Sequence, residues 1–256
     1  MERIANGSPR QLARIAGGLY LIVIVGGFFA FGYVPANIVV SGDAAATAHN
    51  LQAHELLYRL GISVHIITLC CNVPLAVIFY DLFKVVNRRV ALLVVFFTLV
   101  GTAIEGANLA NQFAPLTVLQ GSNYSSALSA QQLQALAYVP IALQEASYGI
   151  TTVFFAFYGL AIGYLVFSSG FLPRVIGALL TIGALCYLTY SFATFISPGF
   201  ASELVPYIQL PSLVGEGSFC LWLLIAGVNI QRWQGRAGAP TSWSERASPL
   251  GVGILQ

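Results

Sequence analysis

Four ionisable residues stand inside stretches that are otherwise apolar: His65, Glu105, Glu145 and Glu216. Carboxylates near an imidazole can bind a proton, hold a cation or, with further ligands, hold a metal. Each belongs to a polar stripe at helical spacing, because residues three, four or seven apart share one helix face. Thr98, Thr102, Glu105, Asn108 and Gln112 form one stripe, and Tyr58, His65, Thr68 and Asn72 a second. Gln144, Glu145, Tyr148 and Thr152 form a third; Tyr187, Tyr190, Ser191 and Thr194 a fourth; Gln209, Ser212, Glu216 and Cys220 a fifth. Arg59 stands at the mouth of its segment as the one available counter-charge.

The elements that must position these residues follow from composition. The 256 residues are 57% hydrophobic and 8% charged, against roughly 25% charged in a soluble domain. Apolar runs near residues 13–34, 57–83, 90–114, 138–167, 174–196 and 207–230 are each long enough to cross a hydrocarbon core of about 30 Å. The expectation is an all-α bundle of six transmembrane helices in contact with the lipid bilayer. Ten of the eleven basic residues fall on one side of this topology. Lys and Arg are retained in cytoplasmic loops, so both termini are expected in the cytoplasm. A net charge of +2 then reflects topology, and a nucleic-acid partner is not expected.

The expected domains are a cytoplasmic segment over 1–12, the six-span unit over 13–230 and a disordered tail over 231–256 rich in Gly, Pro and Ser. A basic start before an apolar run, with "DAAAT" at 43–47, also fits a signal peptide, but the run is long for one. "SGDAAATAHNLQAHEL" (41–56) predicts a short helix capped at Ser41, and "SAQQLQALA" (129–137) opens with a Ser-x-x-Gln capping box. Both read as amphipathic coverings of the outer surface. "SSGFLPR" (168–174) is a helix stop, with Gly170 as left-handed cap and Pro173 barring continuation. Gly159 and Gly163 form a G-x-x-x-G pair for close helix packing. Cys70, Cys71, Cys186 and Cys220 lack metal-type spacing and read as packing residues.

Counted inward from the outer helix ends at 1.5 Å per residue, His65, Glu105, Glu145 and Glu216 all lie roughly 10 to 14 Å deep. Their stripes should face inward, because unsatisfied polar groups are costly against lipid. The expected site is an outward-facing polar chamber built from His65, Glu105, Asn108, Gln144, Glu145 and Glu216, with Arg59 at its mouth. It would bind a proton, a cation or a small ligand. A second reading makes the polar residues interhelical glue in an accessory subunit that touches other membrane-protein subunits. A third is a metal-dependent intramembrane enzyme, though the Glu-x-x-His pairs of di-iron bundles and the His-Glu-x-x-His motif are absent; a serine hydrolase fails for lack of a nucleophile elbow. The residues name no cofactor and no metal, and the balance leans away from catalysis.

"ARIAGGLYLIVI" (13–24), "GDAAATAHNLQAHELLYRLGI" (42–62), "NRRVALL" (87–93), "YGI" (148–150) and "SGFLPRVIG" (169–177) read together resemble the domain-of-unknown-function 4386 family of bacterial integral membrane proteins. The resemblance implies six spans in a bacterial cytoplasmic membrane. It implies no activity, substrate or cofactor.

Overall fold

A computed structural model describes residues 8–121, 128–205 and 207–238. Its described secondary structure is helical throughout, and six helices are long and apolar enough to span a membrane. Spans one to six are Pro9–Ile38, Glu55–Phe83, Arg88–Gln120, Ala130–Ser169, Arg174–Ile196 and Tyr207–Ile225.

Short polar signals fix the helix ends. Ser8 and Gln11 form a capping box at the start of span one, and Ser129 with Gln132 forms the expected one at span four. The Asn87 side chain accepts from the backbone N–H of Arg89 and Val90 to start span three. Gly170 closes span four at φ 73°, and Pro173 caps span five. A short helix, Ala44–Ala53, precedes span two as expected, but its cap is Asp43 rather than Ser41, the Asp43 carboxylate accepting from the Ala46 N–H. Gly42 N–H donates to Tyr138 Oη at 3.1 Å, and this helix packs against span four. A further short helix, Pro198–Leu204, lies between spans five and six.

Neighbouring spans pack in chain order, and span one closes the ring against span six. The largest buried cluster fills one half of the ring, with Phe79, Phe83, Ile162, Leu165, Phe219 and Leu223 fully enclosed. Tyr20 and Phe79 meet edge-on at 6.1 Å, and Phe79 and Phe219 lie 5.5 Å apart. Backbones approach closely where the sequence allows it. A Cβ on Gly163 would stand 2.5 Å from Thr181 Oγ1, and one on Gly177 2.5 Å from the Phe167 nitrogen. The Gly159/Gly163 pair therefore does the packing its spacing predicts.

That half ends in a basic rim. Leaving aside Arg3 and Arg246, which lie outside the described residues, every Lys and Arg except Arg59 belongs to this end of the bundle. The tail departs from expectation here. Residues 231–237, expected to be disordered, belong to a helix, Ile230–Ala237, capped by Asn229, while 239–256 lie outside the described residues. The reason is specific anchoring. Trp233 Nε1 donates to the Leu82 carbonyl at 2.9 Å, Arg232 to the Gly170 carbonyl at 3.0 Å and Arg236 to the Ser168 carbonyl at 2.8 Å. These donors satisfy carbonyls that helix ends leave open.

Candidate functional site

Opposite the basic rim, two polar stripes meet. His65 from span two and Glu105 from span three are 1% and 2% exposed, with Nε2 and Oε2 3.5 Å apart. Each side chain is aimed by its own helix, one turn from further polar groups on the same face. The imidazole is held on its other side, where Nδ1 lies 3.1 Å from Gln112 Oε1. Tyr58 Oη donates to the Gln112 backbone carbonyl at 2.9 Å, tying span two to span three again. Asn108 Nδ2 donates to the Gln144 carbonyl at 3.3 Å, and Asn111 Nδ2 donates to Asn108 Oδ1 at 2.9 Å. Asn108 and Thr151 flank the Glu105 carboxyl.

Span one contributes the aromatic wall, which spacing alone did not reveal. Pro35 has no N–H, and its ring would clash with the carbonyl one turn back in a regular helix. The chain meets this with a wide π-helical turn over Phe28–Tyr33, in which the Val34 N–H reaches back to Phe29 O. Such turns often mark functional positions. This one delivers Phe31 edge-on to His65, centroids 4.6 Å apart, and against Tyr148 at 5.0 Å. The signal was present in the sequence as Pro35, four residues after Phe31.

Polar satisfaction is incomplete at this point. Both carboxyl oxygens of Glu105 and Nε2 of His65 are buried without a hydrogen-bond partner among the described residues. Natural interiors rarely leave such groups unpaired. With Gln112 Oε1 set toward it, Nδ1 carries a proton and donates, so Nε2 and the carboxyl must balance between themselves. Neutral imidazole facing a carboxylic acid is one balanced state; imidazolium facing carboxylate is the other. Each holds one proton between Nε2 and Oε2. A neutral imidazole facing a carboxylate would set lone pair against lone pair and leave a buried charge uncompensated.

The remaining expected site residues are distributed elsewhere. Gln144 enters through its backbone carbonyl, as the acceptor of Asn108. Glu145 is exposed on the outer face of span four, because Tyr148, Thr151 and Thr152 turn inward instead. Arg59 is exposed and pairs with Glu55, Nε to Oε1 2.6 Å, while donating to Gln120 Oε1 at 3.1 Å. It does not reach His65 or Glu105. Glu216 is partly buried in a separate small cavity with Tyr20, Tyr158 and Tyr187. Tyr148, which packs on Phe31 beside His65, stands near enough to both Glu105 and Glu216 to feel their charges, while Tyr158 further along span four lines the Glu216 cavity. Four ionisable groups therefore do not share one chamber. Two of them meet, one stands apart inside, and one faces out. Among the described residues no three His, Cys, Asp or Glu side chains gather as a metal site. His49 and His54 are exposed on the helix before span two.

A family model described as domain of unknown function (DUF4386) matches residues 15–227, which takes in all six spans. Neither the curated proteins nor the solved structures contain a match to the chain.

Proposed function

The chain belongs to the family described as domain of unknown function (DUF4386), and on the geometry of its buried dyad we propose that this multi-pass membrane protein binds a proton between His65 and Glu105. The observation that carries the reading is the Glu105 carboxyl, buried with both oxygens unpartnered and 3.5 Å from an equally buried imidazole. A carboxylate deep in a bilayer without compensation costs on the order of 3 kcal/mol, and a shared proton removes that cost. Asn108 and Gln112 orient the pair from their own helix, and Phe31 with Tyr148 keeps it dry. In this reading the basic rim faces the cytoplasm, by retention of Lys and Arg, and the dyad lies enclosed in the outer half of the bundle.

Purified protein subjected to a pH jump should take up a proton that Glu105→Gln and His65→Gln each remove. Thermal stability of Glu105→Gln should stay within about 1 kcal/mol, the scale of one exchanged hydrogen bond. Uptake unaltered in both variants would overturn the proposal. A second reading draws on Tyr58 and Asn108, whose side chains cross between helices to the carbonyls of Gln112 and Gln144: the polar stripes act as glue, and the protein serves other membrane subunits. That reading requires Glu105→Gln to lose stability heavily with proton uptake intact.

A further inference from the structure

A second interior carboxyl lies outside the dyad. Glu216, Tyr20, Tyr158, Tyr187 and Ser212 line a cavity of about 10 Å³ bordered by spans one, four, five and six. That volume admits a single water-sized particle. Its polar walls are oxygen only: one carboxyl, three phenols and one hydroxyl, with no Lys, Arg or His among the lining residues. Tyr20, 4% exposed, has its buried hydroxyl beside the Glu216 carboxyl and the Tyr158 hydroxyl but in hydrogen-bond geometry to neither. Ser212 Oγ donates its proton to the Gly183 carbonyl at 2.8 Å and turns its lone pairs toward the Tyr187 side of the cavity. The walls are also fixed. A Cβ on Gly183 would meet the Ser212 Cα at 2.7 Å, and one on Gly159 the Ala184 Cβ at 2.8 Å, so the flanking helices are already in contact.

We propose that the cavity between Glu216 and its three tyrosines binds one dehydrated monovalent metal cation of sodium size. Hard oxygen donors select alkali and alkaline-earth ions over softer metals. A single carboxylate balances a single positive charge, and a divalent ion would leave the interior with uncompensated charge. Glycine-tight helix contacts oppose the expansion that potassium needs. The Tyr20 and Ser212 oxygens supply the neutral ligands, and Glu216 supplies the charge. A proton on Glu216 competes with the cation for the same oxygen. This site shares no residue with the dyad and does not rest on it.

The test is a thermal-unfolding series on the purified full-length protein at about pH 8, with equal concentrations of sodium, potassium or choline chloride. A ligand that binds only the folded state raises the midpoint by mass action. The wild type should unfold several degrees higher in sodium than in either other salt, and the difference should shrink as the pH falls. Glu216→Gln should abolish the sodium effect, and Glu105→Gln should keep it. Tyr20→Phe, which keeps the ring and removes the orphaned hydroxyl, should fold normally in choline and respond to sodium more weakly than wild type. Equal wild-type midpoints in all three salts would overturn the proposal. So would a sodium effect that survives Glu216→Gln or disappears with Glu105→Gln.

Discussion

The two halves of this bundle solve opposite problems. Toward the basic rim, interdigitated aromatic rings surround Phe79, glycines let backbones touch, and the tail helix donates to carbonyls of Leu82, Ser168 and Gly170. In the opposite half, His65, Thr102, Glu105 and Ser191 bury polar atoms that find no partner among the described residues. Tyr20 marks the border: its ring packs on Phe79 and Phe219, and its hydroxyl enters the Glu216 cavity. Sequences that specify one structure satisfy packing and polar groups together, and departures concentrate where function needs them. The contrast teaches that the packed half is satisfied throughout, while the other sets unfinished chemistry beside a smaller core of Val34, Ile38, Leu51, Ile62 and Leu116.

Three substitutions break or sharpen this contrast. Phe79→Ala empties the centre of the packed half and should cost about 3–5 kcal/mol, read by reversible unfolding in mixed micelles; a loss below about 1 kcal/mol would erase the distinction between halves. Gly177→Ala sets a methyl 2.5 Å from the Phe167 backbone nitrogen, where neither helix can yield by a rotamer change. It should cost about 1–3 kcal/mol in the same assay, and a neutral result would mean that spans four and five are not locked there. Glu145→Gln should do least. Its side chain is exposed, so stability should stay within about 0.5 kcal/mol and the pH-jump uptake should be unchanged; lost uptake would move the proton site onto the outer face of span four.

Most of the fold was legible because its signals are long and redundant. Six apolar runs, the confinement of Arg and Lys to one side, the Ser129 capping box and the Gly170 stop each state a boundary in residue chemistry alone. The stripe joining Glu105, Asn108 and Gln112 was legible for the same reason, since three- and four-residue spacing survives folding. Span four was not, because Gln144, Glu145 and Tyr148 are crowded enough on the helical wheel that a small rotation decides which faces inward. The inward face belongs to Tyr148, Thr151 and Thr152. Equal depth was a weaker guide still: counting from helix ends fixes height to within a turn or so but says nothing of azimuth, and Glu216 points into a different gap from Glu105.

The π turn at Phe28–Tyr33 has a consequence for how span one tolerates changes in length. An extra residue in an ordinary helix rotates everything beyond it by about 100°, whereas a widened turn absorbs that residue and keeps the flanking faces in phase. Ala13, Ala16 and Tyr20 before the turn, and Val34 and Ile38 after it, are thus all kept buried in the bundle. Removing one residue within this stretch would let the helix relax to ordinary pitch with both buried faces still aligned, whereas the same deletion at Tyr20 would turn one face toward lipid.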